Sequence, residues 1–290
     1  MAGYKGNRIA PRNFDRGQIK IYIILLPLVL FMLLPIVFII GHAFKPLDEL
    51  FAFPPRFFVE RPTLDNFKTL FKSARSAGIP MSKYVFNSII VTIAVVGIGV
   101  FISTLSGYAL SKLKFKLRGA IFEINQGALM FVPAAVMIPR YLIIQGLGIT
   151  NTYWAHILPL LAMPVSLFLI KQFIDGVPDT LIEAAVVDGA NQFTVYRKII
   201  IPLIRPAIAT GVILSFQQVW GYLDSSNLYV NTDSMKTLAF YMSTLANANN
   251  IVAGQGVAAA ASLIMFIPNL VLFIILQKDV MNTMAHSGIK

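Results

Sequence analysis

Apolar residues in this chain come in runs far longer than strands need. Residues 21–44 carry no charge over 24 positions, 84–111 none over 28, 141–170 none over 30 and 206–223 none over 18. A fifth run becomes strongly apolar from about residue 257 to 276, late in an uncharged tract that begins after Lys236. A sixth, from about 120 to 139, has Glu123 near one end and is interrupted by Pro133 and Pro139. A helix needs about 20 apolar residues to cross the hydrocarbon of a bilayer. The pattern therefore predicts an all-α integral membrane protein with six transmembrane helices.

Composition supports the same class. The 290 residues are 57% hydrophobic and only 13% charged, against about 25% charged in a soluble domain. Lys and Arg number 24 and Asp and Glu 13, and the placement of the excess orients the bundle. With the N-terminus inside, the inner segments hold Lys5, Arg8, Arg12, Arg16 and Lys20, then Lys112, Lys114, Lys116 and Arg118, then Lys171, Arg197, Lys198 and Arg205, and finally Lys278 and Lys290. The two later outer loops hold only Arg140 and Lys236. The remaining basic residues lie in the first outer loop, 44–83, and long loops escape the positive-inside rule. The expected layout is a cytoplasmic basic N-terminus (1–20) and a transmembrane domain (21–290), with both termini inside. Nucleic acid is not needed to explain the net charge of +11. Gly41-His42-Ala43 resembles a cleavage site, but a signal peptide has an apolar core of only about 7–15 residues, so residues 21–44 are expected to be retained. The loop 44–83 is rich in Pro and carries Phe51, Phe53, Phe57 and Phe58; it fits both an ordered interfacial loop and a docking surface for an extracytoplasmic partner.

Enzyme chemistry is hard to find. Cysteine is absent, no Gly-Lys dipeptide exists and no two glycines lie four residues apart. This excludes thiol sites, the phosphate-cradling GxxxxGK[ST] loop and the G-x-S-x-G nucleophile elbow. His42, His156 and His286 are widely separated and form no H-E-x-x-H pair. His156, with no carboxylate neighbour, is expected to pack or lie at the interface rather than bind a metal. No catalytic residue, metal site or cofactor is assigned to this chain. An integral membrane enzyme would need an acid-base or metal cluster that the sequence lacks.

The inner loop 171–205 is built as more than a turn. Thr180 and Glu183 stand at capping-box spacing, Ala184, Ala185, Val186 and Val187 continue a short helix, and Gly189 is placed to end it in the left-handed conformation. Asn191 is placed to cap a second helix running through Tyr196, Arg197 and Lys198 to Pro202. An amphipathic helix resting on headgroups is one reading. The acids Asp179, Glu183 and Asp188 on a helix without a basic residue suit an anionic leaflet poorly and a groove on a partner protein better.

The run Glu183-Ala184-Ala185-Val186-Val187-Asp188-Gly189-Ala190, followed by Ile201-Pro202-Leu203, resembles the EAA motif of type 1 ABC-transporter permeases in the carbohydrate-importer branch. Ser106-Gly107-Tyr108-Ala109-Leu110 before a basic loop and the closing Gly288-Ile289-Lys290 extend the resemblance over the whole chain. It implies the MetI-like permease fold and a multi-pass subunit in a bacterial cell membrane. In such importers the EAA loop is a coupling helix seated on a cytoplasmic ATPase. Glu183, Ala184, Ala185, Asp188 and Gly189 are the implied ATPase-coupling residues, with Glu183 as polar anchor. ATP-Mg would then be bound by the partner ATPase dimer. A second homologous permease and an extracytoplasmic solute-binding protein that delivers a sugar complete the implied assembly; the first outer loop and residues 231–250 are where that protein would meet this chain. Import of a non-sugar solute, such as a peptide or amino acid, is the alternative that the DGA form and the layout disfavour.

Gln217, Trp220 and Asp224, with Asn227 beyond, stand at spacings of three, four and three, as residues on one helical face do. An indole and polar groups suit a sugar, so these residues are expected either to line the translocation pathway or to contact the partner permease and cap the span. The small residues around Gly254 and Gly256 need only close helix packing, and Pro159, Pro164 and Pro268 are ordinary for membrane helices.

Overall fold

A computed structural model of the chain describes residues 19–54, 56–76, 78–248 and 253–287. Residues 1–18 with Lys5, Arg8, Arg12 and Arg16, Asn249 and Asn250 of the outer segment, and the closing Gly288-Ile289-Lys290 lie outside the described residues. Every regular element among the described residues is helical. The chain divides into two compact units, one of residues up to Leu70 with 249–263 and one of Phe71–Ala248 with 264–290.

In the first unit, helix α1 (Ile19–Phe44) is exposed along most of its apolar length. That surface suits lipid or a neighbouring helix and not water. The loop after it is ordered by polar pins. Helix α2 (Leu47–Leu50) holds Glu49, whose buried carboxylate accepts the amides of Glu60 (3.2 Å) and Arg61 (2.8 Å). Buried Lys45 donates to the carbonyl of Arg56. Asn66, at the start of helix α3 (Asp65–Ser76), donates to the carbonyls of Ala43 (3.0 Å) and Lys45 (2.8 Å).

The second unit is organised around helix α4 (Met81–Lys112), which runs unbroken for 32 residues. Helix α5 (Arg118–Leu129) and helix α6 (Met137–Gly146) form a pair bent by 110°. Helices α7 (Tyr153–Leu161) and α8 (Pro164–Asp175) form a second, bent by 41°. The inner loop carries α9 (Asp179–Val187), α10 (Gln192–Val195) and, after a π-helical turn at Tyr196–Ile200, α11 (Ile201–Leu203). Helix α12 (Arg205–Trp220) leaves that segment at 77°. Helix α13 (Leu238–Ala248) and the long α14 (Ala253–Ser287), which belongs to both units, complete the chain. Helices α7, α8, α12 and α13 all pack on α4. Small residues allow the close approach: a Cβ on Gly107 would stand 3.1 Å from the Ile170 side chain of α8, the kind of contact membrane helices make through glycine.

Three helices, Ile19–Phe44, Met81–Lys112 and Gly254–Val280, are long and apolar enough to cross a membrane singly, and counting each bent pair as one span gives six. The third and fourth predicted spans need correcting. Pro133 opens a 3-10 turn, so no straight helix runs over 120–139, and residues 141–146 belong to α6 and not to the fourth span. That span begins at Tyr153 and breaks at Ala162 and Met163 before Pro164. Pro159 and Pro268 lie inside continuous helices. Helix α12, in the fifth predicted span, ends at Trp220, short of the expected 223.

Candidate coupling site and pathway residues

The inner loop is seated on an apolar cluster. Tyr108 of α4, Ile170 and Ile174 of α8, and Val177, Val195, Tyr196, Ile200 and Ile204 form a buried core, and Ile182, Ala185 and Ala190 of the loop pack on it. The opposite face of α9 stays uncovered: Glu183, Ala184 and Asp188 are exposed, and Val187 is 87% exposed. An aliphatic side chain that bare beside two carboxylates is an exposed contact face of mixed character.

The end of α9 follows from glycine chemistry. Gly189 adopts φ +85°, its amide donates to the Val186 carbonyl (3.0 Å), and the Ala190 amide donates to the Ala185 carbonyl (2.9 Å). These are the two bonds of a Schellman motif, which satisfy carbonyls that a helix end leaves orphaned. Asn191 then caps the next helix as expected, its Oδ1 accepting the Thr194 amide at 2.8 Å and the Thr194 hydroxyl at 2.9 Å. The capping box does not form. Helix α9 starts at Asp179 with Pro178 at the N-cap and no side-chain cap, which places Thr180 inside the first turn instead of ahead of it. Proline favours this earlier start, because its fixed φ and extended ψ suit the residue before a helix.

The four acids of the loop fall into two pairs. Asp175 accepts from Ser111 Oγ (2.5 Å) and Lys171 Nζ (2.7 Å), and Asp179 accepts from Lys112 Nζ (2.6 Å). The Lys112 hydrogen bond and charge, with Lys114 and Arg118 beyond, hold the Asp179 carboxyl below its ordinary range. Glu183 and Asp188 have no ion pair among the described residues, so their charges face outward without a counterion. Sequence reasoning missed Thr104, Tyr108, Ser111 and Lys112 of α4 as the partners of Tyr196, Gln192, Asp175 and Asp179 in the loop. The available signal was the Tyr108 segment, whose polar residues recur at helical spacing.

The pathway candidates differ in burial. Trp220 is buried, its indole Nε1 donates to the Met265 carbonyl (3.1 Å) and its ring stacks on Phe216 at 5.5 Å. It walls an apolar cavity of about 410 Å³ with Val85, Ile89, Phe216, Leu238 and Pro268. Gln217 is exposed and Asp224 half-buried. Because α12 stops at Trp220, the helical face inferred from the spacing does not extend to Asp224 and Asn227. Near Asp224, Arg140 of α6 donates to the Tyr222 hydroxyl (3.0 Å). His156 is fully buried, with Nδ1 2.8 Å from Ser225 Oγ and Nε2 3.2 Å from the Met235 carbonyl, which is the packing role expected of it. Among the described residues no three of His, Asp and Glu group as a metal site.

These features define an all-helical, multi-pass membrane protein with an exposed helix mounted between its fourth and fifth spans. The chain belongs to the family described as binding-protein-dependent transport system inner membrane component, whose model matches residues 96–278. It is 30% identical to the probable ABC transporter permease protein YurM of Bacillus subtilis over 96% of this chain and 91% of that protein. It is also 30% identical to the arabinooligosaccharides transport system permease protein AraQ of Halalkalibacterium halodurans, covering 79% of this chain and 80% of that one. A crystal structure of a bacterial ABC transporter involved in the import of the acidic polysaccharide alginate matches in fold, with a TM-score of 0.76 at 20% identity over 92% of this chain and 99% of that chain. The type 1 ABC permease fold expected from the EAA motif is thus the fold of this protein.

Proposed function

We propose that this chain is a membrane-spanning subunit of an ATP-driven, binding-protein-dependent importer of sugars or oligosaccharides in a bacterial cell membrane. The observation that carries the reading is the exposed face of α9, with Glu183, Ala184, Val187 and Asp188 uncovered while Ile182 and Ala185 anchor the helix to the core. That face docks on a cytoplasmic ATPase dimer that binds ATP-Mg, and both termini of the permease are cytoplasmic. A second, homologous permease completes the pathway. An extracytoplasmic binding protein delivers the solute to the outer loops, where Phe53 (95% exposed) and Phe58 stand bare. The family description supports the binding protein, and AraQ supports an oligosaccharide as solute. Gln217 and Asp224 offer polar groups to the passing solute, and Trp220 shapes the wall behind them.

Reversing one charge on the docking face tests this. Glu183→Lys leaves the apolar anchor of α9 untouched, so the permease is expected to fold. Co-purification with the ATPase and ATP-dependent uptake of the oligosaccharide held by the co-purifying binding protein are both expected to fall at least tenfold. Intact assembly and uptake would sink the coupling role.

A further inference from the structure

If α9 receives the ATPase stroke as proposed above, a second question is which element carries the movement across the membrane. Thr104, Tyr108, Ser111 and Lys112 of α4 recur at i, i+4, i+7 and i+8 and so share one helical face. Each is hydrogen-bonded to a different part of the inner loop. Thr104 Oγ1 lies 2.8 Å from the Tyr196 hydroxyl, Tyr108 donates to Gln192 Oε1 at 2.6 Å, and Ser111 donates to Asp175 at 2.5 Å. Lys112 Nζ donates to the Val177 carbonyl and to Asp179, each at 2.6 Å. Thr104, Tyr108 and Ser111 are all buried. The attachments bracket α9: Asp175 and Val177 precede it, Asp179 opens it, and Gln192 and Tyr196 follow its glycine end. Apolar packing is non-directional, whereas these bonds fix the register of the loop on α4.

The opposite end of α4 is attached in the same way. Asn87 Nδ2 donates to the Ser234 and Lys236 carbonyls at 2.9 Å each, and Ser88 Oγ accepts the Leu238 amide at 2.7 Å. Between these ends α4 has no proline and no break, while the chain on the other sides of the inner loop is bent by 41° and 77°. We propose that α4 is the rigid member that links the coupling loop to the outer segment 231–238, and that Tyr108 and Gln192 are positioning residues for that linkage.

The natural chain has no cysteine, so Asn231→Cys, at an exposed position, takes a single environment-sensitive fluorophore. The label is read in the full transporter, with both permeases, the ATPase and the binding protein, before and after ATP-Mg with vanadate. Tyr108→Phe and Gln192→Leu are each expected to lower the equilibrium constant of the nucleotide-induced change about fivefold, the effect of one lost hydrogen bond. The double variant is expected to be no worse than either single one, because both remove the same bond. Gln192→Glu keeps an acceptor and is expected to respond nearly as the natural residue does. Should Tyr108→Phe prevent assembly, Thr104→Val tests the neighbouring attachment by the same readout. An unchanged response in the single variants, or losses that add in the double one, would overturn the inference alone. A natural transporter whose ATPase does not associate with α9 would overturn the coupling role on which it rests.

Discussion

At Gly189 the chain reverses out of α9 with φ +85°, a conformation that costs about 1–2 kcal/mol for a residue with a Cβ. Open space surrounds the position, so Gly189→Ala tests backbone strain and not crowding. The variant is expected to lose about 1 kcal/mol locally, read as roughly fivefold faster amide hydrogen exchange in the last turn of α9; unchanged protection would show that the turn tolerates a side chain. Asp179 is the residue-scale site of pH dependence. Its carboxyl titrates below its ordinary value because of Lys112, so the pair contributes at neutral pH. The contribution is lost only as pH falls through the depressed value of the folded state. Between pH 5 and 8 the ordering of α9 is therefore expected to be flat with respect to this group, and Asp179→Asn is expected to remove the acid-induced loosening seen by hydrogen exchange below about pH 4. The Gly189 bend and the Asn191 cap were legible because each is a local rule about a few neighbouring residues. The Lys112 to Asp179 bond was not, since 67 positions separate the two.

Elements differ in how far their limits could be read ahead. Helix α4 matched its uncharged run closely because nothing inside that run competes with helix formation. Proline did not by itself decide where a run broke: Pro133 and Pro164 open elements after a break, while Pro27 and Pro35 in α1, Pro159 in α7 and Pro268 in α14 are absorbed. The break before α8 begins at Ala162, two residues ahead of Pro164, with ψ 105°, and continues through Met163 with ψ 74°, which a following proline itself keeps out of the helical region. Proline at the first helical position loses an amide that would have no intrahelical partner anyway. Pro164→Ala is accordingly expected to leave the 41° bend in place and to change stability by less than about 1 kcal/mol. Thermal unfolding in detergent checks the stability, and a pair of distance labels on α7 and α8 checks the angle. A straightened span would assign the bend to the proline itself.

For the whole molecule, the relevant contrast lies between side chains that build the bundle and those that stay exposed on it. Trp220 is tied to α14 by its indole and packed on Phe216. Truncating a buried Trp to Ala costs about 3–5 kcal/mol in well-packed cores, so Trp220→Ala is expected to lower the melting temperature and uptake together. Gln217 is exposed, and Gln217→Leu is expected to alter uptake with no measurable change in melting temperature. Equal melting temperatures for both variants would mean that the Trp220 contacts do not stabilise the bundle.

The sequence by itself determined the solvent, the number of apolar runs and the loop that carries the EAA motif. Those are one-dimensional properties: the length of an apolar run measures a bilayer, the position of Lys and Arg orients it, and a short motif with a glycine makes its own turn. The tertiary structure alone decided that α4 is the hub, that Trp220 turns inward, and that Tyr108 and Gln192 meet. Such facts depend on which helical faces close on one another, and a span's uniform apolarity carries no mark of the face that will be covered.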